Sequence, residues 1–491
     1  MNANLPLFEI QKKLTQNVFP SDWVNPQPKV IYDLLVLGGG PGGMSAATLA
    51  SHLGAQVALV EKEHLGGECL NYGCIPSKAF LRSSRAAHQL RHAHEYGLEI
   101  SSKWAVNFKA VINRVQTLQA ELSPHDSAEH FKSLGIDVFL GSGKFTSPNT
   151  LEVAGHILHF KKALVATGTQ PILPRIPGLD PSDYLTNQNV FHQEELPARL
   201  AVIGAGPISC ELSQAFLRFG SRVYLLTHGP HLLSKEEKSA SDLLKSIFLK
   251  EGIHLFMQTN VLNVKKQGKE KFLFLDSSKD PLVVDQILVG IGRRAVVEDL
   301  GLEKAGVVFD ALTGIRTDDY LKTDNPDIYA AGDVASPYKF THISTELCSL
   351  AVRNALEGSQ EKKTSLIIPW CTYTDPEIAH IGLTEEDALK KGLAVETSYV
   401  DIASIDRALL DGETMGYAKL IVKENSEQIL GATLIASHAG EMIPEIGVAM
   451  NSAQGLSALL KTIHPFPTQS QVLRSAAALL LEKRRPAKVL H

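Results

Sequence analysis

Residues 32–61 read YDLLVLGGGPGGMSAATLASHLGAQVALVE, and this stretch decides the fold. The apolar run YDLLVL predicts a buried strand, GGGPGG a tight turn, the small residues after it a helix, and QVALVE a second strand. Together they form one βαβ unit. The same order returns over residues 200–226, in LAVIG, AGP, ISCELSQAFLRFG and RVYLL. The sequence therefore predicts an α/β protein with two Rossmann-like, doubly wound sheets.

The rest of the chain suggests a lead-in before the first βαβ unit and two segments after the second. Residues 1–30 contain Pro20, Pro26 and Pro28 with little periodicity, which predicts an irregular lead-in. We expect the first nucleotide-type domain over 31–180 and the second over 181–281. The runs DQILVGIG and IYAAGDV predict strands that return to the first domain within 282–360. Alternating strands and helices over 366–485 predict an α+β C-terminal domain.

Composition narrows the function classes. The 491 residues suffice for about three domains of roughly 150 residues each. A formal net charge of -5 gives no electrostatic footprint for nucleic acid. We find neither an apolar signal segment nor a run near the roughly 18 apolar residues that cross a bilayer, so we expect a cytoplasmic protein without membrane contact. A small-molecule reaction fits this composition best.

The first glycine motif places Gly38, Gly40 and Gly43 between a strand and a helix. Glycine lets the backbone approach a pyrophosphate, whose charge the helix N-terminus stabilises. Glu61 ends the next strand, where a carboxylate can accept hydrogen bonds from the hydroxyls of an adenosine ribose. A tight packing turn is the alternative, but strand, helix and acid together favour a dinucleotide site.

The second motif has Gly204 and Gly206, with Ser209 where a third glycine is expected. Thr227 ends its second strand, where a carboxylate would favour NAD. We therefore lean towards NADPH, because nearby cationic residues can accommodate a 2′-phosphate. The alternative is that they are ordinary loop residues; they are His228, His231 and Lys235.

Cys69 and Cys74 carry the strongest chemical signal, in GGECLNYGCIPSK. On a regular helix their Cα atoms would lie roughly 8 to 9 Å apart, beyond the roughly 7 Å limit for a disulfide. A bridge therefore requires a distorted turn, which Asn71 and Gly73 tolerate. A helix beginning near Ile75 would place the thiols at its positive end, where a thiolate is stabilised. A structural pair or a metal site is the alternative, although further metal ligands are not evident nearby.

These motifs resemble the class I pyridine nucleotide-disulfide oxidoreductases, the family of glutathione reductase, dihydrolipoamide dehydrogenase and mercuric reductase. The resemblance extends through ALVATG, LVGIGRR, IYAAGDV, YTDPEIAHIGLTEEDA and ILGATLIASHAGEMI. It implies FAD in the first domain, NAD(P)H in the second, and a homodimer built by the C-terminal domain. Electrons would pass from NAD(P)H through FAD to a redox-active disulfide of Cys69 and Cys74.

The resemblance also implies residue roles. Cys74 is similar to the flavin-proximal thiol and Cys69 to the thiol that meets the acceptor, while Lys78 and Glu211 are similar to a pair near the flavin, with surface charges as the alternative. Gly292 is similar to a nicotinamide-nucleotide contact, with tight packing as the alternative. The remaining positions similar to flavin contacts, for which turn formation is the alternative, are Gly141, Thr167, Gly168, Asp333, Thr341 and His342.

The segment HPFPTQSQ departs from the family pattern. Thiol-handling relatives have a histidine and a glutamate that move the substrate's proton, where this chain has Phe466 and Gln471. His464 lies nearby, and we expect a structural role for it rather than that of a displaced base. An aromatic residue at this position resembles mercuric-reductase-like members. That enzyme normally receives metal through a C-terminal cysteine pair, whereas this sequence has no cysteine after Cys371 and no N-terminal CxxC module.

Three functions remain open at this point. The first is an NADPH-driven reductase of a thiol-reactive, metal or small electrophilic acceptor, whose site the partner subunit completes near Phe466. The second is a dihydrolipoamide dehydrogenase-type enzyme that lacks the usual proton-handling pair. The third is a flavin-bearing redox sensor with little turnover.

Overall fold

The computed structural model describes residues 7–101, 104–452 and 454–484. They fall into two compact units. The first contains Met1–Gly204, Arg218–Arg222 and Val261–Leu366, and the second contains Ala205–Leu217, Val223–Asn260 and Ile367–His491.

The elements are numbered in chain order. The helices are α1 (Leu7–Val18), α2 (Pro41–His52), α3 (Gly67–Asn71), α4 (Cys74–Arg91), α5 (Phe108–Leu122), α6 (Ala128–Ser133), α7 (Pro207–Phe219), α8 (Lys238–Glu251), α9 (Thr341–Leu356), α10 (Glu385–Lys390), α11 (Asp406–Asp411), α12 (Ala439–Asn451), α13 (Leu456–Lys461) and α14 (Gln471–Arg484). The strands are β1 (Tyr32–Leu37), β2 (Val57–Glu61), β3 (Asp137–Leu140), β4 (Gly143–Ser147), β5 (Thr150–Val153), β6 (His156–Val165), β7 (Thr169–Pro171), β8 (Arg199–Ile203), β9 (Arg222–Leu226), β10 (His254–Phe256), β11 (Val261–Gln267), β12 (Glu270–Leu275), β13 (Leu282–Val284), β14 (Gln286–Val289), β15 (Arg293–Ala295), β16 (Phe309–Asp310), β17 (Gly314–Ile315), β18 (Ile328–Ala330), β19 (Pro369–Thr372), β20 (Glu377–Gly382), β21 (Val395–Asp401), β22 (Tyr417–Lys423) and β23 (Ile429–Ala436).

The first unit is built on a parallel sheet in which β3, β2, β1 and β6 are neighbours in that order. Strand β6 is long enough to serve two sheets: its C-terminal part pairs with β1 and β18, and its N-terminal part pairs with β5. Both faces of β1 are covered, so its residues are apolar almost throughout, as expected for a parallel strand. The carboxyl ends of β1, β2 and β6 therefore meet at one edge, where ligands bind in open α/β sheets.

Helix α2 connects β1 to β2 and packs against α9. The contact is close because α2 presents small residues: a Cβ on Gly42 would lie 2.8 Å from the Cys348 sulfur on α9. Cys348 is fully buried there and serves as a small packing residue.

The second nucleotide-type motif refines one prediction. Strand β14 was expected to return to the first domain, and it does lie in the first unit. Its neighbour there is β8, with which it pairs in parallel from Leu200↔Gln286 to Ile203↔Val289, whereas β18 enters the first sheet. A buried apolar run predicts a strand without identifying its neighbours, so the sequence did not predict this pairing. In the second unit, β9 pairs in parallel with β10.

The N-terminal segment corrects a second prediction. Within residues 1–30, expected to be irregular, the described part contains the twelve-residue helix α1. Ile10 and Val18 are buried at helical spacing, and Gln11 and Asn17 hydrogen-bond Gln116 and Ser123. The prolines that suggested irregularity all follow the helix, so they end it rather than prevent it.

The C-terminal part of the second unit is an antiparallel sheet in the order β19-β20-β23-β22-β21. Helices α12 and α14 pack on it, and the shared core includes Leu420, Leu434, Ile446 and Leu473. This is the α+β arrangement that the sequence predicts, and the overall fold class is confirmed. None of the helices in the described ranges has the length and apolarity needed to cross a membrane.

Candidate active site

The redox loop, residues 66–78, contains the short helix α3, a break in the helical path, and the first residues of α4. Cys69 lies in the short helix α3, and Cys74 is the first residue of the long helix α4. Tyr72 and Gly73 interrupt the helical path, and a Cβ on Gly73 would lie 3.0 Å from the Glu68 carbonyl oxygen. The predicted distortion between the cysteines and the helix after them are both present.

The two sulfurs are close together and are both thiols in this structure. The Cys69 thiol hydrogen-bonds with Cys74 and with Thr341, and the Cys74 sulfur lies 3.3 Å from the Thr341 hydroxyl oxygen. Contact with Cys74, followed by burial, strongly raises the pKa of Cys69. Within the described ranges, no group of three or more histidine, cysteine or acidic residues is arranged to hold a metal ion. The geometry thus brings the two cysteine sulfurs and the Thr341 hydroxyl together at the start of α4.

A polar network that the sequence did not reveal fixes the redox loop from outside. Glu68, which precedes Cys69, forms an ion pair with Arg293 and accepts a hydrogen bond from Asn187. Arg293 Nε donates to the Thr169 hydroxyl at 2.8 Å, and that hydroxyl donates to Asp333 at 3.1 Å. The motif GGEC contains Glu68 and the motif GIGRR contains Arg293, but the two motifs are so far apart in sequence that nothing connected them.

Burial is the main influence on Glu68: it raises the pKa of the carboxyl group, the Arg293 charge opposes this shift, and Asp333 adds to it. Gln119 on α5 supports the same loop, because its amide donates to the carbonyls of Leu70 and Asn71 at 2.8 and 2.9 Å. The position of Cys69 therefore depends on residues from several distant segments.

The first glycine motif forms the tight turn that was predicted. Gly38 has φ +115°, and a Cβ there would lie 2.4 Å from the Ala166 carbonyl oxygen. A Cβ on Gly43 would lie 1.8 Å from the Gly38 carbonyl oxygen, so neither position accepts a side chain. Gly40 is the N-cap of α2, and no described side chain caps this helix. Its N-terminal N–H groups remain available to an anion.

Glu61 lies at the end of β2, beside this turn. Its carboxylate accepts hydrogen bonds from the Gly39 and Glu63 amides at 2.6 and 2.7 Å, and burial raises its pKa. Each oxygen keeps a second lone pair, so two further hydrogen bonds from a ligand are possible. Gly141 joins the group, because its amide donates to the Glu61 carbonyl at 2.8 Å.

The remaining predicted flavin-side residues surround the same sheet edge. Thr167 and Gly168 follow β6, and the Thr167 hydroxyl donates to the Val296 carbonyl at 2.7 Å. Asp333 accepts hydrogen bonds from Thr169 and from Ser344 on α9. Thr341 begins α9 beside Cys74, and the His342 ring stacks on Phe340 at 5.8 Å. Sequence reasoning missed Thr169 and Ser344.

The nicotinamide-side residues divide between the units. Gly204 and Gly292 lie in the first, and a Cβ on Gly204 would lie 2.2 Å from the Gly290 carbonyl oxygen. Gly206 and Glu211 lie in the second, where the buried Glu211 carboxylate accepts from the Tyr373 amide at 2.9 Å. Lys78 belongs to the first unit, on α4, so its predicted pairing with Glu211 stays a prediction.

The C-terminal segment places Phe466 at the surface, with 72% of it exposed. Gln471 begins α14. The buried His464 ring makes a 2.8 Å hydrogen bond through Nε2 to Glu445 on α12, and its Nδ1 is buried without a hydrogen-bond partner among the described atoms. A buried ring held in this way fits a structural residue.

Comparison with known proteins agrees with the geometry. Residues 32–355 match the model of the pyridine nucleotide-disulphide oxidoreductase family, and residues 368–477 match the dimerisation domain of that family. The chain is 33% identical to a mercuric reductase of Bacillus cereus over 455 residues, which is 92% of this chain and 72% of that protein. It is 32% identical to a dihydrolipoyl dehydrogenase of Chlamydia muridarum, covering 92% of this chain and 97% of the relative.

Among solved structures, the HOCl-induced flavoprotein disulfide reductase RclA from Escherichia coli is similar, with a TM-score of 0.81 and 26% identity. That similarity covers 91% of this chain and all of the RclA chain. These relatives are enzymes of an FAD-dependent family that uses NAD(P)H, which confirms the resemblance and the prediction of an oxidoreductase. The chain therefore belongs to the pyridine nucleotide-disulphide oxidoreductase family.

Proposed function

We propose that this chain uses NADPH and FAD to reduce its Cys69–Cys74 pair, which then reduces a thiol-reactive, metal or small electrophilic acceptor. The observation that carries the proposal is the pair itself: the Cys69 thiol in α3 hydrogen-bonds with Cys74 at the start of α4, and the Thr341 hydroxyl lies beside Cys74. The proposal assigns the flavin side to Cys74 and the acceptor side to Cys69.

The residues at the first sheet edge fit FAD. The close approach at Gly38 and Gly43, the uncapped start of α2 at Gly40 and the buried Glu61 carboxylate suit a pyrophosphate and a ribose. Asp333, Thr167, Gly168, Gly141, Thr341 and His342 are proposed to hold the rest of the cofactor. When bound, FAD accepts a hydride from the nicotinamide and passes an electron pair to the disulfide.

The chain's own residues separate the roles of the two sulfurs. Cys74 begins an eighteen-residue helix with no side-chain cap among the described residues, so the helix N-terminus favours negative charge at this sulfur. Thr341 can donate a hydrogen bond to it. Cys69 is fixed by the Glu68–Arg293 ion pair and by Gln119, which limits its movement towards or away from Cys74. Lys78 and Glu211 are proposed to support the flavin side.

The preference for NADPH rests on the end of β9. Thr227 occupies the position of a ribose-binding carboxylate, and its hydroxyl already accepts from the Gly229 amide at 3.2 Å. His228, His231 and Lys235 are exposed in the loop that follows. Gly204, Gly206 and Gly292 are the proposed nicotinamide-nucleotide contacts.

The choice of acceptor rests on the C-terminal segment and on the relatives. Phe466 and Gln471 cannot move a proton, so a substrate that must gain or lose its own thiol proton is poorly served. A metal ion or an aprotic electrophile has no such requirement. One relative is a mercuric reductase and RclA has been solved as a Cu(II) complex, both consistent with metal chemistry. We further propose a homodimer in which the partner subunit brings its own copy of this segment to the site, as the dimerisation domain suggests.

A dihydrolipoyl dehydrogenase is the second candidate, because several relatives at 32 to 34% identity carry that name. Steady-state NADPH oxidation with Hg(II), Cu(II), quinones and lipoamide as separate acceptors distinguishes the two. We expect turnover with a metal ion or a quinone and at least tenfold less with lipoamide. Efficient lipoamide turnover would favour the second candidate instead.

An anaerobic NADPH titration tests the core of the proposal. The wild type should develop long-wavelength thiolate-to-flavin absorbance, and Cys74→Ser should not. A wild type that consumes NADPH without this absorbance would contradict the assignment of the cysteines, and a protein that keeps the absorbance without discharging it into any acceptor would be a sensor.

A further inference from the structure

The segment that follows α1 takes no part in the mechanism above. Its residues 23–29, here called the edge strap, run beside β3, which is the edge strand of the first sheet. An edge strand presents backbone N–H and C=O groups that no neighbouring strand pairs with, and proteins often cover such an edge with a loop. In this chain two side chains of the strap bond to those groups.

Asn25 is bonded to β3 much as an added strand would be. Its side-chain Nδ2 donates to the Leu140 carbonyl oxygen at 3.0 Å, and its Oδ1 accepts from the Leu140 amide at 2.8 Å. Two residues earlier, the Trp23 indole Nε1 donates to the Val138 carbonyl oxygen at 3.2 Å. Val138 and Leu140 are also two residues apart, so the period of the strand turns their backbone groups towards the same edge.

Further contacts hold the strap on the other side of Asn25. Lys29 Nζ lies 3.4 Å from the carboxylate of Asp137, the first residue of β3. The Lys29 backbone amide donates to the Tyr32 hydroxyl at 3.2 Å, and that hydroxyl donates to Asp137 at 2.9 Å. Because Leu140 is the last residue of β3, the strap is bonded to both ends of this strand.

Leu140 connects the strap to the proposed FAD site. In the register of the sheet it lies opposite Glu61, the last residue of β2. The residue after it, Gly141, donates its amide to the Glu61 carbonyl oxygen at 2.8 Å. The backbone of the proposed ribose-binding residue is therefore held by the end of β3, and Asn25 holds that end from the opposite side.

We infer that Asn25 is a positioning residue of the FAD site, and that the edge strap slows release of the adenosine end of the cofactor. Asn25 fixes Leu140, and the fixed end of β3 keeps the Glu61 carboxylate where it can accept hydrogen bonds from the ribose hydroxyls. A strap that only protects the sheet edge would have no such selective effect on the cofactor. The inference rests on the FAD site proposed at this sheet edge and is independent of the acceptor.

The test is the rate at which FAD leaves the holoenzyme, followed by the rise in flavin fluorescence without NADPH or an acceptor. Asn25→Ala should release FAD about tenfold faster than the wild type, because both hydrogen bonds to Leu140 are lost. Trp23→Phe is the matched control, since it removes one bond from the strap to β3 at Val138, two residues from the position opposite Glu61. Its release rate should stay within about twofold of the wild type. Far-UV circular dichroism checks that each variant is folded.

An increase of less than about threefold in Asn25→Ala would overturn the inference, and so would a similar acceleration in Asn25→Ala and Trp23→Phe. Asn25→Asp takes its place if Asn25→Ala does not fold, because it keeps the acceptor for the Leu140 amide but loses the donor to the carbonyl oxygen; the same limits apply. Glu61→Gln tests the site itself, and unchanged FAD release in that variant would contradict the proposed FAD site. Faster release in Glu61→Gln with wild-type release in the Asn25 variant overturns the role of Asn25 alone.

Discussion

Replacement of Arg293 by methionine is the sharpest test of how the redox loop is held. Arg293 forms the ion pair with Glu68, next to Cys69, and only 16% of the Arg293 side chain and 31% of the Glu68 side chain are exposed. The substitution keeps much of the apolar stem but removes the charge. It also removes hydrogen bonds of 2.8 and 3.1 Å to the hydroxyl and carbonyl oxygens of Thr169.

The expected loss is about 2 to 3 kcal/mol of unfolding free energy. Removing one partner of a fully buried pair costs about 3 to 5 kcal/mol. The cost is smaller here because Glu68 keeps part of its exposure and its hydrogen bond from Asn187. Arg294→Met is the matched control, because Arg294 forms a more exposed pair with Glu298, four residues along the chain, of the kind that contributes about 0 to 1 kcal/mol.

The unfolding free energy that Arg293→Met loses should depend on pH. Burial already raises the pKa of Glu68, and without the arginine the pKa should rise further. A carboxyl group whose pKa is raised in the folded state contributes stability that is fully present below its unfolded pKa of about 4.3 and is lost as the pH rises through its folded pKa. The gap between wild type and Arg293→Met should therefore widen as the pH is raised from about 4 towards 7.

Urea unfolding followed by fluorescence at several pH values measures this gap. Adding Glu68→Gln to Arg293→Met should recover much of the lost stability, because the unpaired charge is then gone. A gap no larger than that of Arg294→Met, or one that does not change with pH, would refute the reasoning.

Three further predictions concern other parts of the chain. Thr227→Glu should lower kcat/KM for NADPH relative to NADH by at least tenfold, since a carboxylate repels the 2′-phosphate; an unchanged ratio in steady-state assays would place the phosphate elsewhere. Phe466→His combined with Gln471→Glu should raise lipoamide turnover by roughly 10²-fold, the low end for general acid–base catalysis, and strong wild-type turnover would count against the missing base. Burial raises the pKa of Glu236 to about 7, and its carboxylate accepts from the Trp370 indole at 2.6 Å. Wild-type Tm should therefore fall between pH 5 and 8, whereas that of Glu236→Gln should be nearly constant over this range; equal slopes would contradict the shift.

Local patterns predicted the parts of the fold that local physics determines. The turn from Gly38 to Gly43 and the helix that begins at Cys74 follow from glycine geometry and from residues a few positions apart. The fold class and the cysteine pair were accessible for the same reason. The strand that pairs with β14 could not be predicted in this way, because an apolar run indicates a buried strand but does not identify the neighbouring strand.

The polar contacts of the site were hidden for a different reason. Arg293 and Glu68 are separated by 225 positions, so no spacing rule connects them. The Asp126 carboxylate lies close to Gly66, where the redox loop begins, but the sequence of its turn, SPHD, is that of an ordinary polar turn with a proline. The closeness depends on how α5 and the redox loop pack, which the sequence alone does not show.

Helix α1, which the sequence did not predict, contacts the start of the redox loop and the turn after α5. Its last residue, Val18, accepts a hydrogen bond from the Leu65 amide at 3.0 Å, directly before the redox loop, and Phe19 contacts His64, which is hydrogen-bonded to the Tyr72 hydroxyl at 3.1 Å. Asn17 holds the turn that carries Asp126 through Ser123. One helix thus contacts both the segment that leads into the redox loop and the turn that follows α5. Two contact points on one rigid helix limit the movement of these segments more than either contact alone, because both must break before the loop can shift.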